Sequence, residues 1–146
     1  MIALLQRVNR ASVTVDRKII GQIEQGLLVL LGIEKNDNLS IAKKLIDKTL
    51  RYRMFTDANG RMNNSLIDIN GGLLLVPQFT LVANTKKGLR PSFSSAAAPD
   101  AAARLFHDIL TVSSIMYHNI AKGQFGADMQ VSLTNDGPVT FLLNQS

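Results

Sequence analysis

Gln78 and Thr80 are the residues whose types and positions most suggest chemistry, because they follow an apolar run in the segment GGLLLVPQFTLVANT, residues 71–85. The four residues before Pro77 predict a buried strand, but proline lacks the N–H that would continue a hydrogen-bonded ladder. If the strand continued, one of its faces would turn polar at Gln78 and Thr80. Burying those groups without partners would cost about 1–3 kcal/mol each. They therefore need a substrate, water or a neighbouring group, and a strand that emerges at a rim is the alternative interpretation.

A basic loop follows this segment. NTKKGLRPSF places Lys86, Lys87 and Arg90 close together, beside Gly88 and Pro91. Cationic side chains next to a polar strand end could bind phosphate groups. Basic loops are also common on protein surfaces, so a solvated loop is the alternative.

Side chains that commonly catalyse hydrolysis are scarce. The two histidines, His107 and His118, are predicted to lie in one helix, at a spacing that matches no metal motif. The absence of cysteine excludes thiolate catalysis, disulfides and cysteine-based metal sites. The sequence has no glycine-rich phosphate loop and no GxSxG motif. Asp57 and Asp68 fall in predicted turns, where acidic side chains more often accept local backbone hydrogen bonds than catalyse.

The elements that must position these residues begin with short strands. Residues 1–9, 12–16 and 19–24 have the pattern of strands, and GLLVLLGI, residues 26–33, is apolar on both faces and predicts a central one. This spacing predicts an antiparallel meander. A short strand, RMFTD, precedes the turn DANGR, and MQVSL and VTFLL around NDGP predict a hairpin.

Two helices complete the predicted pattern. The first runs from about Asn38, a suitable N-cap, to Arg51, because apolar residues recur at helical spacing. The second begins at Pro99, with Asp100 in its first turn, and ends before Gly123. Two helices with seven or eight strands are an α+β pattern.

Composition and charge narrow the class of protein. The 146 residues, 46% hydrophobic and 18% charged, are typical of one globular domain. The net charge of +5 favours an anionic partner, and nucleic acid is one candidate. The opening residues make a poor signal peptide, and no apolar run approaches the length of a membrane span. We therefore expect a cytoplasmic protein.

Three segments together closely resemble the D-aminoacyl-tRNA deacylases, also called D-tyrosyl-tRNA deacylases. They are MIALLQRVNRASVTV (1–15), PQFTLVANTKKGLRPSF (77–93) and FGADMQVSLTNDGPVTF (125–141). The resemblance extends along essentially the whole chain, so a single deacylase domain over residues 1–146 is expected. The expected fold is α+β, with antiparallel or mixed sheets in a barrel-like core and two main helices packed on one side.

The resemblance implies hydrolysis of the ester that joins a D-amino acid, or mischarged glycine, to the 3′ end of tRNA. It also implies a homodimer that needs no metal or organic cofactor. The family's Asn-x-Gly-Pro-(Val/Thr) segment matches residues 135–140. Its Ser-Gln-x-x-(Leu) segment matches from Gln78 onward, but Pro77 stands where the family usually has serine.

Under this resemblance, the apolar strand ends at the floor of a catalytic pocket. The N–H groups of Phe79 and Thr80 would stabilise the oxyanion that develops on the ester carbonyl, and one such donor typically contributes ~3 kcal/mol. Gln78, Phe79 and Thr80 are therefore the candidate catalytic residues. In one scheme the Thr80 hydroxyl is the nucleophile, and in the other the terminal ribose 2′-OH helps to activate water while the protein orients the ester. The scarcity of histidine, cysteine and paired acids favours the second scheme.

The resemblance assigns substrate selection to Gly137–Pro138, because the Gly-Pro bond of this family is cis. Its carbonyl oxygens would face the substrate's α-carbon, exclude an L side chain and tolerate a D side chain or glycine. In the homodimer this segment would lie in the partner's pocket, near Thr80. Arg7, Phe125 and Met129 are expected to support the pocket. Arg7 and Met129 would brace the Gly-Pro turn, and ordinary strand packing is the alternative for these two.

The basic loop would bind the tRNA through Lys86, Lys87 and Arg90. A different class of function remains as the alternative, namely a tRNA- or ribosome-associated binding module without hydrolytic activity. The proline at position 77 gives that alternative some support.

Overall fold

The computed structural model describes all 146 residues and contains eight strands and two main helices. The strands are β1 (Ile2–Val15), β2 (Lys18–Ile23), β3 (Gly26–Gly32), β4 (Phe55–Thr56), β5 (Met62–Asn64), β6 (Gly72–Pro77), β7 (Ile120–Lys122) and β8 (Gln130–Asn144). The helices are α1 (Leu39–Arg51) and α2 (Pro99–Met116). The α+β prediction is confirmed.

One six-stranded sheet forms most of the molecule. Its order is β2-β1-β3-β6-β7, and β8 pairs with β1, while β4 and β5 make a separate small ribbon. The sheet curls until β2 and β7 nearly meet. The approach is so close that a Cβ added to Gly21 of β2 would overlap the backbone of Lys122 in β7. This close approach explains why glycine occupies position 21. The predicted barrel-like core is confirmed.

The predicted antiparallel meander is right at one end of the sheet and wrong at the other. β1 pairs antiparallel with β2 and β3, but β3 pairs parallel with β6, and β6 pairs parallel with β7. Helix α1 lies in the connection from β3 to β6, and α2 lies in the connection from β6 to β7. Each helix returns the chain to the end of the sheet at which the previous strand began, so that the next strand can run parallel to it.

Two strand assignments also differ from the prediction. The segments 1–9 and 12–16 form one continuous strand, β1, and the expected hairpin around NDGP is a single strand, β8. β8 pairs with β1 on both sides of the NDGP segment, from Ile2↔Asn144 to Thr14↔Gln130. The turn residues therefore bulge out of a strand that continues beyond them, because β1 supplies partners before and after the bulge.

The end of α2 also differs from the prediction, and the strand after it was not predicted. The helix ends at Met116 instead of running to the residue before Gly123. Tyr117 is buried, and its hydroxyl donates to the carbonyl of Gly71, while the N–H of Leu73 donates to the carbonyl of Asn119 at 2.9 Å. These contacts draw the chain into the sheet as β7. Burial also raises the pKa of the Tyr117 hydroxyl.

The core has two parts because β3 and β6 are buried on both faces. Leu27 and Leu73 pack in the larger cluster with the helices, whereas Leu28 and Leu74 pack in a smaller cluster inside the curl of the sheet. The apolar run of residues 26–33 is therefore a central strand, as predicted. Asn38 caps α1 by accepting from two backbone N–H groups of the first turn. No helix of the structure is long and apolar enough to cross a membrane.

The two acidic turn residues have the local role that the sequence predicts. Hydrogen bonds from the N–H of Arg61 and then from the Asn63 amide lower the pKa of Asp57. Asp68 accepts from the N–H and the hydroxyl of Ser65, which lowers its pKa. Both carboxylates stabilise turns, and neither lies in the cavity described below.

Candidate active site

The end of β6 differs from the predicted extended strand. The N–H of Gln78 donates to the carbonyl of Leu31 at 2.8 Å, and the chain then turns into a 3₁₀ helix over Phe79–Val82. The first amides of a helical turn have no acceptor within it. Accordingly, no turn, loop or side-chain hydrogen bond uses the N–H of Phe79 or Thr80. Gln78 and Thr80 thus belong to a turn at a strand end and not to a continuing sheet face.

A cavity of about 740 Å³ opens beside this turn. Its walls come from the ends of β3 and β6, the start of α2 and the segment before β8, and none of its lining residues is ionisable. The volume lies within the range of pockets that bind small organic ligands, and most of the wall is apolar. Five of the lining residues are Gln78, Phe79, Phe93, Phe125 and Met129.

Four of those five residues were candidates from the sequence, and Phe93 was missed as a wall residue. The rings of Phe79 and Phe93 lie 5.1 Å apart at an interplanar angle of 54°, an arrangement favourable for aromatic pairs. Small residues also make room for the cavity, since Ala96, Ala97 and Ala98 form part of its wall. The run SSAAAP before α2 was the available signal, because consecutive small side chains leave space beside them.

The hydroxyl of Thr80 does not line the cavity. It accepts a hydrogen bond from the side-chain amide of Gln78. An amide donor withdraws electron density from the hydroxyl oxygen, whereas a nucleophile needs a base that accepts its proton. The structure shows no such base on Thr80. Gln78 therefore orients Thr80 without activating it.

Phe125 and Met129 line the cavity, and Met129 also contacts the chain just before Phe125. Its sulfur accepts from the N–H of Gln124 at 3.4 Å. The same sulfur lies 2.9 Å from the position of a Cβ added to Gly123, so Met129 would have to move if residue 123 carried a side chain. Met129 thus fixes the turn that carries Phe125.

The NDGP bulge of β8 forms a second group of candidate residues. Gln6 pairs with Thr140 and Val8 pairs with Asn135, so four residues of β8 bulge out opposite Arg7. The peptide bond between Gly137 and Pro138 is cis, as the resemblance implied.

Arg7 holds this bulge, as expected of a supporting residue. Its side chain is buried, and its Nε donates to the carbonyl of Asp136 at 3.0 Å and lies 3.3 Å from the Asp136 carboxylate. Its Nη1 donates to the carbonyl of Met54 at 2.8 Å. A buried guanidinium with these charge-assisted bonds fixes the backbone beside Gly137.

Glycine is required at position 137 both by the backbone conformation and by the lack of space for a side chain. Its φ of +126° is one that residues with side chains rarely adopt. A Cβ at this position would lie 2.9 Å from a methyl group of Val139 and 3.2 Å from Nη2 of Arg7. Neither Gly137 nor Pro138 lines the cavity beside Phe79, so one chain does not bring the two groups of candidate residues together.

The basic loop is joined to the cavity at its base. Asn84 and Ser92 exchange backbone hydrogen bonds of 2.8 and 3.0 Å, and these close the loop that carries Lys86, Lys87 and Arg90. All three cations are exposed, and none has a carboxylate within ion-pair distance. They stand outside the cavity, free to meet an anionic ligand that enters it.

Comparison with known proteins places the chain among relatives of nearly equal length. The family model described as D-Tyr-tRNA(Tyr) deacylase matches residues 4–144. D-aminoacyl-tRNA deacylases of Histophilus somni (strain 2336) and Legionella pneumophila (strain Lens) are 58% and 55% identical to it. The alignments cover 99% and 98% of this chain and 99% of each relative.

Two solved structures are similar along almost the whole chain. The structure named c-Myc DNA Unwinding Element Binding Protein has a TM-score of 0.93 and 39% identity, and the match covers 99% of this chain and 98% of that one. A probable eukaryotic D-amino acid tRNA deacylase has a TM-score of 0.82 with 17% identity, covering 97% of both chains. The second likeness supports the fold alone.

Proposed function

The chain belongs to the D-Tyr-tRNA(Tyr) deacylase family, and we propose that it selects its substrate through main-chain atoms of Gly137 and Pro138. It is a D-aminoacyl-tRNA deacylase, a hydrolase of the ester between a D-amino acid and tRNA. In the proposal, an L side chain collides with the backbone of the bulge, whereas a D side chain points away from it. Glycine has no side chain to exclude, so glycyl-tRNA is cleaved as well.

The observation that carries the proposed chemistry is the cavity whose lining has no ionisable residue. Such a wall binds and orients a substrate, but it offers no general base or acid. The protein's contribution is then positioning, together with stabilisation of the oxyanion by the free N–H groups of Phe79 and Thr80. The 2′-OH of the terminal ribose assists the attacking water as a relay: it accepts a proton from the water and passes its own proton to the departing 3′ oxygen.

Hydrolysis of matched D- and L-substrates tests this function. The purified protein should release tyrosine from D-tyrosyl-tRNA and leave L-tyrosyl-tRNA intact, as measured by the aminoacylated fraction over time. Equal hydrolysis of the two substrates would contradict selection by the bulge.

Binding without hydrolysis is the second candidate, and one observation favours it. A relative with 39% identity is named as a protein that binds a DNA unwinding element, and this chain carries a net charge of +5. The same assay separates the two candidates, because a binding module would leave both aminoacyl esters intact.

The homodimer is part of the proposal, because each cavity needs a bulge that its own chain does not bring to it. The edge of β8 that faces away from β1 is unpaired, and Leu133 and Leu142 on this strand are exposed. A second copy of the chain could cover them and deliver its Gly137–Pro138 segment. We expect light scattering to give twice the mass of one chain at the concentrations where the enzyme is active. A monomer with full activity would contradict this arrangement.

Pro77 should be compatible with activity although the family usually has serine there. The proposed donors are the N–H groups of residues 79 and 80, and neither requires a hydroxyl at position 77. We expect Pro77→Ser to change kcat/KM for D-tyrosyl-tRNA by less than about tenfold, or ~1.4 kcal/mol. An inactive wild type that gains activity on Pro77→Ser would show that the serine is needed.

The basic loop should bind phosphate groups of the tRNA. Replacing Lys86, Lys87 and Arg90 with glutamine should weaken tRNA binding, and the slope of log K against log salt concentration should fall by about one for each phosphate that is no longer neutralised. An unchanged slope would identify these residues as solvated. A control variant with the same reduction in charge carries glutamine at Lys18, Lys35 and Lys43, all of which are exposed and outside the loop.

A further inference from the structure

A second open pocket lies at the C-terminal end of α1, away from the cavity beside Phe79. Its volume is about 410 Å³, and three cations and two aromatic residues line it. They are Lys48, Arg51, Tyr52, Arg53 and Phe141. Neither the hydrolytic chemistry nor the basic loop explains this combination.

The charges of the pocket are largely uncompensated. Arg51 pairs with Asp47 at 2.8 Å, and this contact raises the pKa of Arg51. Lys48 and Arg53 have no carboxylate within ion-pair distance. Hydrogen bonds from Ser65 are the main cause of the lowered pKa of Asp68, and Arg53 adds only the smallest contribution to it. Two cations therefore remain available to an anion.

A role in capping the helix accounts for only part of this cluster. Lys48 and Arg51 lie in the last turn of α1, where positive charge stabilises the helix dipole. Arg53 lies beyond the helix end, and the dipole does not require it there. The aromatic residues also have no part in capping.

The aromatic pair gives the pocket a surface for a flat group. The rings of Tyr52 and Phe141 lie 5.3 Å apart in an edge-to-face arrangement, and both residues are half-buried. Exposed aromatic surface next to cations is how proteins bind single-stranded nucleic acid, with a base stacked on the ring and the phosphates held by the cations.

The position of the pocket connects it to the proposed selecting segment. Arg53 precedes Met54, whose carbonyl accepts from Arg7, and Arg7 also holds Asp136 beside Gly137. The pocket thus adjoins the residues that hold the bulge, and the proposed function places the aminoacyl end of the substrate at that bulge.

We propose that this pocket binds the acceptor strand of the tRNA, with a phosphate held by Lys48 and Arg53 and a base against Tyr52 and Phe141. The proposal rests on the proposed function, since it assigns a place to the nucleotides that precede the aminoacyl end. It differs from the contact of the basic loop, which lies beside the cavity.

The experiment compares a full substrate with a minimal one. The test variant is Lys48→Gln with Arg53→Gln, and its control is Lys18→Gln with Lys43→Gln, which removes the same charge from exposed residues outside the pocket. Each is assayed on D-tyrosyl-tRNA and on D-tyrosyl-adenosine, an ester that lacks the acceptor strand. Binding of uncharged tRNA is measured over a range of salt concentrations.

The test variant should lose about tenfold in kcat/KM on D-tyrosyl-tRNA, through KM, and keep the wild-type rate on D-tyrosyl-adenosine. The salt slope for uncharged tRNA should fall by about one or two, while the control keeps its slope. Unchanged kinetics on both esters, or an equal loss on both, would overturn the proposal. If the wild type hydrolysed neither ester, the proposed function would fail, and the salt slope would still decide whether the pocket binds RNA.

Discussion

Gly137→Ala is expected to lower the hydrolysis of D-tyrosyl-tRNA by about 100-fold, because displacement of a positioning group by about 1 Å can cost that much. The added methyl group would lie 2.9 Å from a Val139 methyl and 3.2 Å from Nη2 of Arg7, and the φ of +126° disfavours any side chain. The bulge must therefore shift, and with it the atoms that we propose face the substrate. The rate of deacylation under single-turnover conditions measures the effect.

A matched control separates this effect from the general strain of a left-handed alanine. Gly60 also has positive φ, +75°, but nothing lies within 4 Å of a Cβ added there. Gly60→Ala should therefore keep nearly the wild-type rate. Gly137→Ala should not acquire activity on L-tyrosyl-tRNA, since the change crowds the selecting segment. Wild-type hydrolysis of D-tyrosyl-tRNA by Gly137→Ala would show that the bulge does not act on the substrate.

The second large effect on the rate is expected when the substrate is changed, and not when a side chain of the protein is replaced. D-tyrosyl-tRNA that ends in 2′-deoxyadenosine should be cleaved at least about 100-fold more slowly, because general acid–base assistance is typically worth about 10²–10⁴-fold. Thr80→Ala should keep activity within about tenfold, because the Thr80 hydroxyl accepts from Gln78 and meets no base. Both rates can be measured with the same discharge assay.

The scheme in which Thr80 is the nucleophile makes the opposite predictions for the Thr80 variant and for the 2′-deoxy substrate. It requires Thr80→Ala to abolish turnover and Thr80→Ser to retain it, and it requires the 2′-deoxy substrate to be cleaved at a rate close to that of the ribose substrate. Full activity of the wild type on the 2′-deoxy substrate would defeat ribose assistance.

Apolar periodicity predicted the helices and the central strand because those elements are determined by local pattern and burial. Helix α1 begins after Asn38 as expected, and α2 begins at Pro99. The hairpin prediction failed because turn residues define only a local conformation. β1 offers pairing partners on both sides of the NDGP segment, and the strand therefore continues past it. No local signal marked that long-range pairing.

Part of the candidate site could be predicted from the sequence, because a strand break and the polar residues after it are local features. The break at Pro77 indicated where β6 ends, and the polar groups after it marked Gln78 and Thr80 as candidates, of which Gln78 lines the cavity and Thr80 does not. Phe93 was missed because it becomes a wall residue only when the basic loop closes against Phe79. The contact of Arg7 with Asp136 spans 129 positions of sequence, and the family resemblance, not the spacing of residues, suggested it.

The central claim is that main-chain atoms select the substrate by chirality, and a series of small substrates tests it most directly. Alanine has the smallest side chain that makes the α-carbon chiral. D-alanyl-, L-alanyl- and glycyl-tRNA therefore differ only in the presence and direction of one methyl group. We predict that the enzyme discharges D-alanyl- and glycyl-tRNA and spares L-alanyl-tRNA as completely as L-tyrosyl-tRNA. Discharge of L-alanyl-tRNA at a rate close to that of glycyl-tRNA would contradict the account, because it would show selection by side-chain size.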